Sequence, residues 1–243
     1  MIFRLSDEIP VLQMAGPTSL QGHCLVPAGH MGEEDGMIVD PKELAAEASY
    51  KLLTGVIVPR PIAWVSTLNR SGTVNLAPFS AFTFVSPKPP MIGISVGRIG
   101  TRYKDTAINI LATEQFVVNI ADAPLTADLH ASSEEFPADV SEAEKLGLEM
   151  EPCLTVAVPR VRAAPISMEC HLRHCIEFGE TRSRFLVGEI TRYHIRDGLL
   201  QNGKIATLEL DPICRLGGPN YATLGKVVTM PSVRQTSKDT TEQ

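Results

Sequence analysis

No apolar run in this 243-residue chain approaches the roughly 20 residues needed to cross a bilayer. The first 30 residues also lack a basic start followed by a continuous apolar core, so no secretory leader is expected and the chain is assigned to the cytoplasm, away from any membrane. Positive charge is in short supply: 22 basic residues stand against 28 acidic ones. That balance withholds the field a phosphate backbone would need and excludes nucleic acid as a partner. Cysteine is sparse and irregular, with Cys24, Cys153, Cys170, Cys175 and Cys214 giving an odd number in a chain too long to need staples, so no disulfide framework is expected. No Gly-x-Gly-x-x-Gly follows a strand, and no Gly-x-x-x-x-Gly-Lys continues into Ser or Thr, which removes the usual dinucleotide and P-loop signatures.

What is present is enough apolar material, 44% of the residues, for one core of good size. Residues 1–36 show no sustained period and read as a poorly ordered extension, with the internal Met31 and Met37 also allowing a later biological start. The main domain is expected at 37–229, and 230–243, rich in Ser, Thr and Lys, as a disordered tail. Asp40 and Pro41 suit the N-cap and first position of a short helical turn. From Gly55 to Val96 the pattern is β: strands at 62–67, 73–76, 81–85 and 91–96, separated by turns and by Pro87-Lys88-Pro89-Pro90. A helix is expected over Asp105–Thr113, with Asp105 as N-cap, then strands at 115–120, 166–178 and 185–195. Closely spaced strands with tight turns favour a mainly β fold with helices, closed as a barrel.

The one crowded run of metal-ligand types is Cys170-His171-Leu172-Arg173-His174-Cys175. On a strand, alternation sends Cys170 and His174 to one face and His171 and Cys175 to the other, so four ligands cannot converge and no metal is assigned.

Lys104-Asp105-Thr106 is the strongest local feature. At a helix start, free amides and the positive end of the dipole meet an ammonium and a hydroxyl, which suits a phosphate; an ordinary cap with a solvated lysine is the plainer alternative. Ser66-Thr67 at a strand end, and Asn75 to Ser80 with its Pro78, offer hydroxyls, a carboxamide and backbone groups to a ring edge or a phosphate. Pro59 and Pro61 hold Arg60 on extended backbone, available to an anion or to a structural salt bridge. Trp64, the single tryptophan, sits mid-strand, where core packing competes with stacking on a cofactor.

Taken together, Tyr50-Lys51-Leu52-Leu53-Thr54-Gly55, Pro59 to Thr67, Asn75 to Ser80 and Lys104-Asp105-Thr106 resemble the flavin reductase-like family, the group that includes flavoredoxins and the reductase components of two-component monooxygenases. The resemblance continues through Glu114 to Asn119, Gly147-Leu148, Glu169-Cys170, Gly188-Glu189-Ile190 and Arg215-Leu216-Gly217-Gly218. It implies an FMN-binding split β-barrel that dimerises, with flavin in a groove near the subunit interface. Carried over by position, Arg60, Ala63, Trp64, Val65, Ser66, Thr67, Asn75, Ala77, Pro78 and Ser80 would line the flavin and its ribityl chain, while Lys104, Asp105 and Thr106 would take the phosphate. FMN is the implied cofactor, with FAD as the alternative, and NADH or NADPH the electron donor.

Three features depart from that pattern. Thr181-Arg182-Ser183-Arg184 stands where the shorter reductases carry a histidine before the Gly-Glu pair, His130 replaces an asparagine, and the extension before Met37 is atypical. His130, as a proton donor to a substrate above the flavin, and His194, as a secondary site candidate, are the catalytic candidates. The implied function is an NAD(P)H:flavin oxidoreductase supplying reduced flavin to a partner monooxygenase. The alternatives are an electron carrier reduced by a redox protein, and a non-redox hydrolase on the same barrel.

Overall fold

Alternating apolar residues broken by Gly, Asn and Pro turns yield a mainly β chain, 40% strand and 21% helix. The computed structural model describes residues 37–231. The expectations for the 1–36 extension and for most of the 230–243 tail lie outside the described residues. The chain divides into two compact units, one ending at Ala48 and the other beginning at Ser49.

In the leading unit, the Asp40 side chain accepts the Lys42 amide at 2.9 Å and opens a 3-10 turn over Pro41–Glu43, as the cap and proline pattern demands. Helix α1 (Ala46–Val56) then runs across the division and buries none of its side chains. It extends through Gly55 and Val56, where the sequence suggested β.

Seven strands form one antiparallel sheet in the second unit: β1 (Ala63–Leu68), β2 (Val74–Phe79), β3 (Phe82–Pro87), β4 (Pro90–Val96), β5 (Gln115–Ile120), β6 (Ile166–Phe178) and β7 (Ser183–Ile195). Their spatial order is β2-β1-β5-β6-β7-β4-β3. Phe79 on β2, at one end of that order, shares a core cluster with Ile92, Ile94 and Val96 on β4, near the other end, so the sheet curls around a common interior. Ala63, Val65, Phe116, Val118, Met168, Cys170, Leu186 and Ile190 fill the same interior, with Ala107 and Ile110 of helix α2 (Asp105–Thr113).

A second cluster covers the outer side of the sheet. Ile62, Trp64 and Leu76 meet Leu125, Leu129 and Ala143 from the segment that holds α3 (Thr126–Ala131) and α4 (Glu142–Lys145). Strand β1 is therefore covered on both faces, and Ala63 to Thr67 have no exposed surface.

The run Cys170 to Cys175 lies within β6 as a strand, although register shifts fall between Glu169 and Cys170 and between Leu172 and His174. None of the described helices is long and apolar enough to cross a membrane.

Candidate functional site

Helix α2 begins with Lys104 as N-cap, in extended conformation at φ −63° and ψ 148°, and with Asp105 as its first helical residue. This corrects the cap assignment by one position: Asp105 turns instead to Arg102, its Oδ1 2.7 Å from Nη1. In a first helical turn the leading amides have no intrahelical acceptor, so this end offers N–H groups and partial positive charge.

Those groups open on a cleft of about 80 Å³. Asn75, Ala77 and Pro78 of β2 form one wall and Arg102, Lys104, Asp105 and Thr106 another; Ser132 to Phe136, after α3, and Glu142 of α4 close it. The Asn75 carboxamide donates to Thr106 Oγ1 at 3.0 Å, which leaves the hydroxyl proton of Thr106 to give elsewhere. Lys104 Nζ lies 5.6 Å from the centre of the Phe79 ring and joins no ion pair among the described residues. Against these donors stands Glu142, nearly buried, whose Oε2 accepts the Leu76 amide at 2.8 Å. Burial raises its carboxyl above the usual range, the charge of Asp105 adds to the rise, and backbone hydrogen bonds from Leu76 and its own amide oppose it.

Six of the residues chosen from sequence thus meet at one cleft: Asn75, Ala77, Pro78, Lys104, Asp105 and Thr106. The others do not line it. Ala63, Trp64, Val65, Ser66 and Thr67 are core, because β1 is a central strand with layers on both sides. Their polar atoms act at one remove. Thr67 Oγ1 accepts the Asn109 carboxamide at 3.1 Å and so ties α2 to the sheet, while Trp64 Nε1 donates to Ser132 Oγ at 2.8 Å and anchors the segment that closes the cleft. Ser66 Oγ donates to the Pro159 carbonyl at 2.7 Å.

Arg60 forms neither an anion site nor a salt bridge. Its guanidinium donates to the carbonyls of Thr54, Ile57 and Leu216 and to Ser80 Oγ, which occupies four of its five N–H groups and buries it as a clamp. Ser80 is consumed in the same clamp.

The two histidine candidates sit apart from the cleft lining. His130 is exposed and its Nδ1 lies 3.0 Å from Tyr221 Oη, with the rings edge to face. His194, on β7, is 2.6 Å from the buried carboxylate of Glu169. Among the described residues the ligand-type atoms that converge are not the Cys170 to Cys175 run but Cys153, Glu169 and His194.

Arg102, Ser132 to Phe136 and Glu142 were missed by sequence reasoning. Position 132 adjoins the His130 motif, which gave a weak local signal; Glu142 in its acidic segment gave none.

The model of the flavin reductase like domain matches residues 56–209. An uncharacterized protein of Halalkalibacterium halodurans is 38% identical over 207 residues, covering 82% of this chain and 99% of that one. The crystal structure of nitrilotriacetate monooxygenase component B from Bacillus cereus superposes with a TM-score of 0.79 at 36% identity, over 82% of this chain and 100% of that one. The 2-nitrobenzoate 2-nitroreductase of Pseudomonas fluorescens gives 0.73 at 34%, over 83% and 100%.

Proposed function

The chain belongs to the flavin reductase-like family, and from that premise we propose that the cleft at the start of α2 holds the phosphate of FMN in an NAD(P)H-dependent flavin oxidoreductase. The observation that carries this reading is the meeting of Lys104, Thr106 and Asn75 with a helix N-terminus in one cleft. When bound, the flavin supplies the hydride-accepting centre. The chain's own part is to bind and orient. Lys104 takes phosphate charge, Thr106 donates its hydroxyl proton, Asn75 fixes Thr106 from behind, and Thr67 with Asn109 keeps α2 seated on the sheet. The likeness to a monooxygenase component B supports release of reduced flavin to a partner oxygenase.

The proposed assembly is a homodimer. Apolar residues left in the open support it, including Leu52, Leu53 and Val56 on α1 and Phe84 on β3.

A second reading, an electron carrier reduced by another protein, draws on the hairpin before Gly188. It has no histidine there; Arg182 pairs with Glu177, and Arg184 lies over the Tyr103 ring at 3.5 Å. Stopped-flow mixing of the flavin-loaded protein with NADH or NADPH decides between them. Bleaching of the flavin absorbance by either nucleotide is expected. Reduction by a redox protein alone selects the carrier, and a protein that takes up no flavin sinks both.

A further inference from the structure

Glu169, on β6, is wholly buried, and no lysine or arginine pairs with its carboxylate among the described residues. Its Oε2 accepts the Thr155 amide and hydroxyl, and Oε1 accepts the Leu154 amide at 2.9 Å and faces His194 Nε2 at 2.6 Å. Burial works against its charge, but these bonds outweigh burial and hold the carboxyl down at about 2. Four hydrogen-bond partners thus hold this carboxylate in one orientation. Cys153 completes the group: its sulfur, a Glu169 oxygen and a His194 nitrogen lie within 4.8 Å of one another.

We propose that Cys153, Glu169 and His194 form a site for a divalent cation of the zinc class, with a further coordination position open to water. A thiolate, an imidazole and a carboxylate are a donor set that zinc accepts. Bonds of about 2.3 Å to sulfur and roughly 2.0–2.2 Å to nitrogen and oxygen let such atoms share one ion after shifts of about 1 Å. The ion takes the place of the hydrogen between His194 and Glu169. The proton displaced from His194 Nε2 moves to its Nδ1, the Cys153 thiol gives its proton to solvent, and Oε2 stays fixed by Thr155, an outer contact of the kind that orients metal ligands. Access is from the His194 side, whose side chain is 20% exposed.

Cys153 does not read as a nucleophile. Burial and the neighbouring Glu169 charge push its thiol up to about 12, against a weaker pull from Arg160, so without a metal it stays protonated at neutral pH. A bound metal supplies the charge that ionises the thiol.

The test uses full-length protein freed of metal by a chelator and titrated with Co²⁺. One equivalent per chain is expected, with a thiolate-to-cobalt charge-transfer band that Zn²⁺ displaces. Cys153→Ser abolishes the band with unchanged circular dichroism and flavin uptake. His194→Gln weakens Co²⁺ binding at least about tenfold, and Cys175→Ser, altering an exposed thiol farther along β6, leaves it intact. Absence of the band in the unsubstituted protein, its survival in Cys153→Ser, or its loss in Cys175→Ser overturns the site. The flavin reading stands or falls separately.

Discussion

Lys104 supplies most of the usable positive charge of the cleft, because Arg102 is committed to Asp105. If it meets the flavin phosphate, Lys104→Ala weakens FMN binding by about 10- to 100-fold, the loss of one charge-assisted hydrogen bond. Riboflavin, which has no phosphate, binds as before. Quenching of flavin fluorescence measures both, and an equal loss for the two ligands removes Lys104 from the phosphate site. Glu142 acts in the opposite direction. Its folded-state pKa is raised, so it is neutral at low pH and becomes a carboxylate beside the proposed phosphate site as pH rises through that value. FMN affinity is expected to fall over that rise. Glu142→Gln keeps an oxygen for the Leu76 amide, removes the charge, and tightens FMN binding severalfold at the alkaline end, about 1 kcal/mol for a screened like-charge contact. The two proteins converge at the acid end; parallel pH profiles refute the effect.

Two long strands place a glycine where no other residue fits. A Cβ on Gly188 of β7 would stand 2.3 Å from Phe116 Cζ and 3.2 Å from Cys170 Cβ, and Phe116 is fully buried. Gly188→Ala is expected to cost about 1–3 kcal/mol by overpacking, read from the denaturant midpoint, with Phe116→Leu in the same chain restoring part of it. At this scale the sequence was informative where periodicity speaks. The bounds of α2, β5 and β6 coincide with their apolar spacing. It was silent where only tertiary contact decides. The Pro59-to-Thr67 segment marks β1 but does not reveal that both its faces are covered, so Ala63 to Thr67 looked like a ligand wall and are core. Asn75, Ala77, Pro78 and the Lys104 triplet were legible because turn chemistry and a helix start leave local marks. The Ser132-to-Phe136 wall reaches the cleft through a bond to Trp64, 68 positions away, and leaves only the weak mark beside His130. Tertiary contact also decides for Cys153, Glu169 and His194, which are brought together by the β6–β7 pairing and a loop.

For the molecule as a whole, acid should be the sensitive direction. Glu169 falls from an ordinary carboxyl value of 4.5 to about 2 in the fold. The stabilisation it brings is full above about 4.5 and drains as pH drops toward 2, on the order of 3 kcal/mol across that window. In metal-free protein, urea midpoints taken between these limits are expected to decline more steeply for the unsubstituted chain than for Glu169→Gln, whatever the variant's absolute stability; equal slopes refute the assignment. The double coverage of β1 also has a consequence for directed evolution. Since its side chains fix core volume and anchor α2 and the Ser132 wall, a library aimed at another flavin should leave 63–67 and Ser132 untouched and spend its diversity on Asn75, Ala77, Pro78, Arg102, 104–106 and 133–136, where altered side chains face the cleft without first having to refold the sheet.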